Sequence, residues 1–211
     1  MPTKDNHKIT QRTINALETK NAIFNAAVKL FGERGYDNVT VEEITDSIGM
    51  SKGTFYTHFE SKDSIMIEQF RRIDEHYINT QSMLPKDATA SLRLRTLMLS
   101  CMDYAENTCG IHVFKVIYAS QLSSRVKVLS DKKRPFYSLI RQFVQQGRKN
   151  GEFRLDIEED DMVTIAARGL RALLYDWCLF DEAGEFDLSI EKEKHINFLI
   201  ASLQKPSAAE R

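Results

Sequence analysis

The chain has 211 residues, with 29 Lys and Arg against 30 Asp and Glu, which gives a formal net charge of -1. Hydrophobic residues make up 42% and charged residues 28%, enough apolar mass for a packed core. This composition excludes a disordered or collagen-like chain, and no apolar run approaches the length that a bilayer requires. A globally basic nucleic-acid coat protein is excluded too, so any DNA binding must come from a local patch.

Cysteine usage and the first residues bear on the cellular compartment. Cys101, Cys109 and Cys178 are odd in number and far from a CxxC spacing, which disfavours a disulfide scaffold and fits a reducing compartment. The opening segment MPTKDNHKITQRT lacks the apolar run of a secretory signal. We therefore expect the protein in the cytoplasm, without a membrane partner.

Apolar residues recur at helical spacing along most of the chain, and strand-like alternation is nearly absent. The pattern predicts an all-α protein. The first helix is expected over about residues 19–34, with Ile14 and Leu17 extending its stripe and Gly35 ending it. Later helices are expected at about residues 41–48, 51–59, 62–81, 94–105, 114–122, 159–180 and 189–204. Another, ending near residues 150–151, is expected to be kinked or split at Pro135.

Capping signals and breaks suggest the domain plan. Thr40 and Glu43 have the spacing of a capping box, and Ser51 and Ser61 are N-cap candidates. The helical pattern breaks around Pro85, which predicts a linker. We expect a flexible arm over residues 1–18, a helix-turn-helix domain over 19–64, an effector-binding and dimerisation domain over 65–204 and a tail over 205–211.

The most informative segment is ITDSIGMSKGTFYTHFESKDSI, residues 44–65. It predicts a short helix, a tight turn at Gly49 and a second short helix capped by Ser51. A helix-turn-helix DNA binder needs this plan, because the first helix crosses the DNA backbone and the second presents its N-terminal residues to the major groove. Any two capped helices joined by a tight turn show similar cap and turn residues, so this pattern alone does not identify a DNA-binding helix-turn-helix.

Charge is uneven along the chain. Basic residues dominate positions 125–154 and acidic residues dominate positions 155–191. We interpret these blocks as two solvated helix faces that pair with each other, because the basic block carries a core-like apolar stripe rather than the features of a DNA-contacting helix. The first residues carry Lys4, Lys8, Arg12 and Lys20. Such an arm suits a minor groove or phosphates, although more often it is disordered.

Residues 20–75 resemble the TetR family of bacterial transcriptional regulators. The family pattern I-x-x-A-A-x-x-L-F-x-x-x-G-(Y/F) is matched by Ile23, Ala26, Ala27, Leu30, Phe31, Gly35 and Tyr36. The pattern T-(V/T)-x-x-I-A-x-x-(A/I)-G-(V/M)-S-x-G-x-(F/L)-Y-x-(H/Y)-F-x-x-K-(E/D) is matched by Thr40, Val41, Ile44, Ile48, Gly49, Met50, Ser51, Gly53, Phe55, Tyr56, His58, Phe59, Lys62 and Asp63. Thr45 stands where the family usually has Ala, a mild departure.

The resemblance implies an all-α fold of about nine helices and a ligand-responsive homodimer, most often a repressor released from a palindromic operator. Carried over position by position, it implies phosphate contacts from Tyr56, His58, Lys62 and Thr40, and groove contacts from Lys52, Gly53 and Thr54. Without the resemblance, Tyr56 and His58 would be interpreted as plain helix surface beside buried Phe residues. Lys62 alone would equally be a solvated lysine after a cap.

The resemblance also implies a dimer through the last two long helices, as a four-helix bundle across a two-fold axis. The expected interface residues are Met162, Ile165, Ala166, Gly169, Leu170 and Leu173 on the first helix and Ile196, Leu199, Ile200 and Leu203 on the second. The alternative is that these apolar stripes only close the core of the subunit itself.

A small, mostly apolar effector of unknown identity is expected between residues 83 and 180. The candidate pocket residues are Met98, Cys101, Met102, Tyr104, Phe114, Ile117, Tyr118, Phe136, Tyr137, Ile140, Phe143 and Trp177. Such side chains offer adaptable apolar walls with a few polar tips, although each one alone is equally explained as core. Arg141, Arg168 and Arg171 are candidates for meeting an acidic group, or lie in solvent.

The sequence supports an enzyme, a metal-binding protein or a redox sensor less well than a ligand-responsive DNA-binding regulator. The sequence contains no GxSxG, GxxxxGK[ST] or GxGxxG motif. Its histidines are scattered, and Cys109 with His112 is an isolated pair, so neither a metal nor a cofactor is expected. The remaining alternatives are a thiol-based redox-sensing regulator and an all-helical ligand-binding protein or enzyme on the same fold.

Overall fold

The computed structural model describes residues 10–123, 127–180 and 184–205. Over these residues the chain is helical, with one isolated bridge between Phe153 and Gln204. The α-helices are α1 Gln11–Arg34, α2 Val41–Asp46, α3 Lys52–His58, α4 Lys62–Met83, α5 Ala90–Tyr104, α6 Ile111–Ser123, α7 Pro135–Asn150, α8 Glu159–Phe180 and α9 Leu188–Leu203. The prediction of an all-α protein is confirmed.

Helix α1 begins at Gln11, so it includes the turns of Ile14 and Leu17 into which the apolar stripe extends. Thr10 is its N-cap, and the Thr10 side chain accepts a hydrogen bond from the amide of Thr13. The prediction of a flexible arm up to residue 18 is therefore wrong for residues 11–18, which are helical. Ile14 and Leu17 lie in these turns and remain 39% and 59% exposed, so the apolar stripe continues there without burial. Lys4 and Lys8 lie outside the described residues, as does most of the predicted tail.

Proline and glycine positions mark the ends of several later helices. Pro135 is the first residue of α7 rather than a kink within it, because a first-turn residue has no intrahelical use for an amide hydrogen. Helix α5 continues into a single π-helical turn, Ala105–Cys109, which stops at Gly110 with φ of 79°. A backbone in that conformation is free of steric cost only for glycine.

The chain forms two compact units that divide between residues 68 and 69, inside α4. The sequence predicted this domain boundary between residues 64 and 65, four residues earlier. In the first unit α1, α2 and α3 pack around fully buried Ile23, Ile44 and Phe55. In the second unit α5 packs against α7 and α9, and α8 packs against α6, α7 and α9. Helix α4 therefore contributes residues to both units.

The basic and acidic blocks pair with each other at the junction of α7 and α8. Arg141 on α7 makes ion pairs with Glu159 and Asp160, at 2.8 and 2.5 Å. These carboxylates also lie in the first turn of α8, where they stabilise the helix dipole. The interpretation of the blocks as paired helix faces is confirmed for these residues. None of the helices that the structure describes is both long and apolar enough to cross a membrane.

Candidate functional site

The first unit contains a capped helix, a tight turn and a second capped helix. At the start of α2 the Glu43 amide donates to the Thr40 hydroxyl at 3.2 Å, and the Thr40 amide donates to Glu43 Oε2 at 2.8 Å. These bonds from Thr40 hold the pKa of the Glu43 carboxyl below its usual value. Thr40 is exposed but its polar groups serve the capping box. The predicted box is thus present.

The turn between α2 and α3 depends on Gly49. Its φ is 65°, a conformation that side-chain-bearing residues rarely adopt. The amide of Met50 then donates to the Thr45 carbonyl at 2.9 Å, which closes the turn. Ser51 caps α3 by accepting from the Thr54 amide at 3.1 Å. This geometry fixes α3 directly after α2, as a helix-turn-helix requires.

Helix α3 has a buried face and an exposed face. Phe55 and the following Phe59 are buried at 0% and 3% exposure, and their rings lie 5.7 Å apart. Tyr56 is 56% exposed, and Lys52 and Gly53 are exposed as well. Thr54 and His58 are partly exposed. The structure thus brings five of the predicted DNA-contacting residues, Lys52, Gly53, Thr54, Tyr56 and His58, together on one short helix.

Lys52 has a partner within the protein. Its Nζ lies 2.8 Å from Glu42 Oε2 on α2, and about half or more of each side chain is exposed. The hydrogen bond to Glu42 raises the pKa of Lys52. Exposed pairs of this kind contribute little to stability. Lys52 can therefore leave Glu42 for a DNA base at small cost.

Lys62 is directed inward rather than toward the exposed face of α3. Its Nζ donates to the carbonyls of Tyr36 and Val39, at 2.6 and 3.0 Å, and lies 4.4 Å from the centre of the Tyr36 ring. The Tyr36 hydroxyl in turn bonds to Asp63. The structure thus does not support Lys62 as a free phosphate contact, because its ammonium ties the start of α4 to the segment after α1.

The second unit contains a largely apolar cavity that is partly open to solvent. The empty space within it, including the part open to solvent, is about 460 Å³. Helix α4 contributes three side chains, and the other contributors are α5, α6, α7, α8 and the loop before α7. The lining residues are Phe70, Ile73, Tyr77, Cys101, Met102, Phe114, Tyr118, Leu129, Arg134, Phe136, Leu170, Arg171 and Leu174.

The sequence identified only part of this cavity. Five of the predicted pocket residues line it, namely Cys101, Met102, Phe114, Tyr118 and Phe136. The lining does not include the other seven, Met98, Tyr104, Ile117, Tyr137, Ile140, Phe143 and Trp177. Most of these seven are buried as ordinary core, while Tyr104 stacks on His76 with ring centres 4.1 Å apart. Periodicity alone does not separate a cavity wall from a filled core.

The predicted dimer residues on α8 and α9 mostly face the core of the subunit. Met162, Ala166, Leu170, Leu173, Ile196, Leu199, Ile200 and Leu203 are all buried. Gly169 allows α9 to approach, since a Cβ there would lie 2.6 Å from Leu199 Cδ1. The buried residues thus fit the alternative that these stripes close the core of the subunit itself, and their place in a dimer interface stays a prediction. Apolar residues of α8 and α9 with 43–73% exposure are Ile165, Tyr175, Leu179, Phe180, Ile190 and Phe198.

Two of the three thiols, those of Cys101 and Cys109, are not activated. Burial raises the pKa of Cys101 well above its usual value and that of Cys109 to about 12. A thiol kept protonated in this way is a poor nucleophile. Within the described residues no group of three or more His, Cys, Asp or Glu is placed to hold a metal ion. Neither feature favours the redox-sensing alternative.

Comparisons with known proteins also support a helix-turn-helix DNA-binding unit. A family model described as bacterial regulatory proteins, tetR family, matches residues 23–68. The HTH-type transcriptional repressor KstR2 of Rhodococcus jostii (strain RHA1) is 30% identical over 156 residues, which cover 72% of this chain and 74% of that protein.

Two solved structures show the same fold. The fatty acid degradation regulator FadR from Bacillus halodurans superposes with a TM-score of 0.73 at 19% identity, covering 89% of this chain and 97% of that one. A SmeT–triclosan complex gives a TM-score of 0.73 at 18% identity, covering 90% and 93%. The likeness thus extends through both units of the chain.

Proposed function

Because the chain belongs to the TetR family of bacterial regulatory proteins and is a DNA-binding transcriptional regulator, we propose that it acts as a homodimeric repressor. It binds a palindromic operator through α3 and leaves that operator when a small effector fills the cavity of the second unit. The observation that carries this proposal is the two-faced α3, with its phenylalanines buried and its polar residues outside. No catalytic role is proposed.

The DNA contacts divide between bases and phosphates. Lys52 and Thr54 lie at the start of α3, where side chains reach base edges, and Gly53 lets the helix backbone come close. Tyr56 and His58 follow along the same helix and are suited to phosphate oxygens. Thr40 is exposed at the N-terminus of α2, but its amide and hydroxyl bind the Glu43 carboxylate, so it can meet a phosphate only if that carboxylate moves away.

A dimer is needed to read a palindrome. We assign its interface to the exposed apolar residues of α8 and α9, two helices that pack against each other, because large apolar side chains exposed on neighbouring helices suit an interaction surface. Tyr175 and Leu179 are one turn apart on α8, and Ile190 and Phe198 are about two turns apart on α9. A two-fold axis through this face pairs two such helices from each subunit into a four-helix bundle.

The effector acts through α4. This helix begins at Lys62 in the first unit, and its residues Phe70, Ile73 and Tyr77 line the cavity in the second. A ligand in the cavity therefore contacts the helix that leads to the DNA-binding unit. Coupling requires that the ligand prefer the state that does not bind DNA, and about 1–3 kcal/mol of preference changes operator affinity roughly 5- to 150-fold. The relative SmeT is named with triclosan, a small molecule.

The test is a gel shift with the duplex upstream of the protein's own gene and a scrambled duplex of equal composition. We expect tighter binding to the upstream duplex, two chains per site, and a steep loss of affinity with salt, because phosphate contacts release counterions. Equal affinity for both duplexes would contradict specific operator recognition. A repressor of this kind must reach chromosomal DNA, so the proposal includes a cytoplasmic location.

A further inference from the structure

The cavity of the second unit contains two guanidinium groups with different partners. Arg134, at the start of α7, donates from Nε and Nη2 to the two carboxylate oxygens of Asp74, each at 2.9 Å. Both side chains are about one-tenth exposed. This bidentate pair is neutral as a unit, so Arg134 leaves no uncompensated charge in the cavity.

Arg171, on α8, has only neutral partners among the residues that the structure describes. Its Nη1 donates to the Leu129 carbonyl at 3.1 Å and to the Tyr137 hydroxyl at 2.7 Å. These bonds fix the guanidinium in place without neutralising it. Asp176 acts electrostatically on the nearby Tyr118, but no ion pair joins it to Arg171. The Nε and Nη2 edge donates to no described protein atom.

Among the cavity-lining residues that the structure describes, none offers Arg171 a negative charge. Burial raises the pKa of Tyr77 and of Cys101, so both side chains stay neutral. Tyr118 donates its hydroxyl proton to the Arg171 carbonyl at 2.7 Å. The remaining lining side chains are apolar, among them Phe70, Met102, Phe114, Leu170 and Leu174.

We propose that the effector is an anionic amphiphile, with an apolar body that fills the cavity and one oxyanion group, such as a carboxylate, bound by the Nε and Nη2 edge of Arg171. This inference rests on the proposed function of the cavity as the effector site. The planar fork of arginine matches an oxyanion with two parallel hydrogen bonds. A neutral ligand would leave a cation beside an apolar body without a partner, which costs desolvation energy.

Two fluorescent probes with the same apolar body test the proposal. 1-Anilinonaphthalene-8-sulfonate carries an oxyanion, and N-phenyl-1-naphthylamine is the same molecule without it. The full-length protein is titrated with each probe, alongside Arg171→Gln, Arg171→Lys and the control Arg168→Gln, which changes an exposed arginine one turn earlier on α8. Thermal unfolding of each variant verifies that it is folded.

We expect the wild-type protein to bind the sulfonate probe more tightly than the neutral one. Arg171→Gln should weaken sulfonate binding about tenfold or more, since a hydrogen bond to a charged group contributes that much, and leave the neutral probe nearly unchanged. Arg171→Lys should keep part of the preference because it keeps the charge, and Arg168→Gln should match the wild type. Equal losses for both probes in Arg171→Gln, or no wild-type preference, would overturn the proposal.

The operator gel shift on the same preparations separates the two claims. Specific operator binding without a preference for the sulfonate probe overturns the ligand class and leaves the regulator intact. A preference that depends on Arg171, without operator binding, supports the anion site and overturns the proposed function instead.

Discussion

Asp74 on α4 and Arg134 at the start of α7 form a bidentate ion pair beside the cavity. The pair ties together two elements of the second unit, and the Arg134 guanidinium also lies 4.7 Å from the centre of the Phe70 ring. Arg134 also lines the cavity, so the pair links the cavity wall to α4, a helix with residues in both units.

Asp74→Ala should destabilise the protein by about 3–5 kcal/mol, because removal of one partner leaves a buried guanidinium uncompensated. The shift in the urea midpoint of the far-UV circular dichroism signal measures it. Asp156→Ala is the control. Asp156 pairs with Arg154 and its side chain is 63% exposed, and exposed ion pairs contribute little to stability. Equal midpoints for Asp74→Ala and wild type would contradict a structural role for the pair.

Gly53→Ala should weaken operator binding while keeping the fold. A Cβ at Gly53 would meet only Ser51 Oγ, at an ordinary 3.5 Å, and Ala is favoured over Gly in a helix by about 1 kcal/mol. The loss of affinity would arise because the methyl group blocks close approach to DNA. Anisotropy with labelled operator and a thermal melt measure the two effects.

Gly147→Ala is the comparison variant, because the same substitution should there lower stability. A Cβ at Gly147 would lie 2.2 Å from Phe153 Cδ2, so this variant should lose stability by about 1–3 kcal/mol through overpacking. If Gly53→Ala melts earlier than the wild type, or if its operator affinity is unchanged, the assignment of Gly53 to the DNA interface is wrong.

Tyr56→Phe and Lys62→Ala should behave differently. Tyr56→Phe removes only a hydroxyl from the exposed face of α3, so it should weaken all DNA sequences about equally with little change in stability. Lys62→Ala removes the donor to the Tyr36 and Val39 carbonyls and should lower the melting temperature of the DNA-binding unit. Salt dependence of operator binding and thermal melts separate the two. A stable Lys62→Ala protein with a flatter salt slope would restore Lys62 as a phosphate contact.

Adjacent residues on α9 separate dimerisation from folding. Phe198 is 73% exposed and Leu199 is 7% exposed. Phe198→Glu should give a folded monomer that binds operator poorly, because it places a charge in the proposed interface. Leu199→Glu should instead unfold the second unit, since it buries a charge among core residues. Analytical ultracentrifugation and circular dichroism are the measurements. A dimeric Phe198→Glu protein would exclude this face as the interface.

The sequence predicted the helix-turn-helix well because its signals are local. The Thr40 and Ser51 caps and the Gly49 turn each depend on residues within a few positions, and the structure contains all three. The start of α1 was not fixed by the sequence, because its first turns, around Ile14, are helical without burying an apolar face. Pro135 was misjudged because a proline suits the first helical turn as well as a break.

The second unit was harder to predict because its sites depend on which side of a helix meets which neighbour. The helical stripe includes Leu199 and not Phe198, but only the packing of α9 on α8 shows that Leu199 faces the core of its own subunit. Leu129 and Arg171 join the cavity from distant parts of the chain. Lys62 likewise points inward because its ammonium binds carbonyls of the segment after α1. That segment is distant in sequence, so no local sequence pattern predicts the contact.

A repressor released by its ligand requires that effector and operator binding oppose each other, and a competition titration tests this opposition most directly. Trp177 is the only tryptophan of the chain, and its ring lies 6.2 Å from that of Phe114 in the cavity wall. Compounds that stabilise the protein in a thermal screen and alter this fluorescence are then titrated against labelled operator. The account predicts that such a compound weakens operator binding about 5- to 150-fold and that operator weakens the compound by the same factor. A compound that fills the cavity and leaves operator affinity unchanged would contradict it.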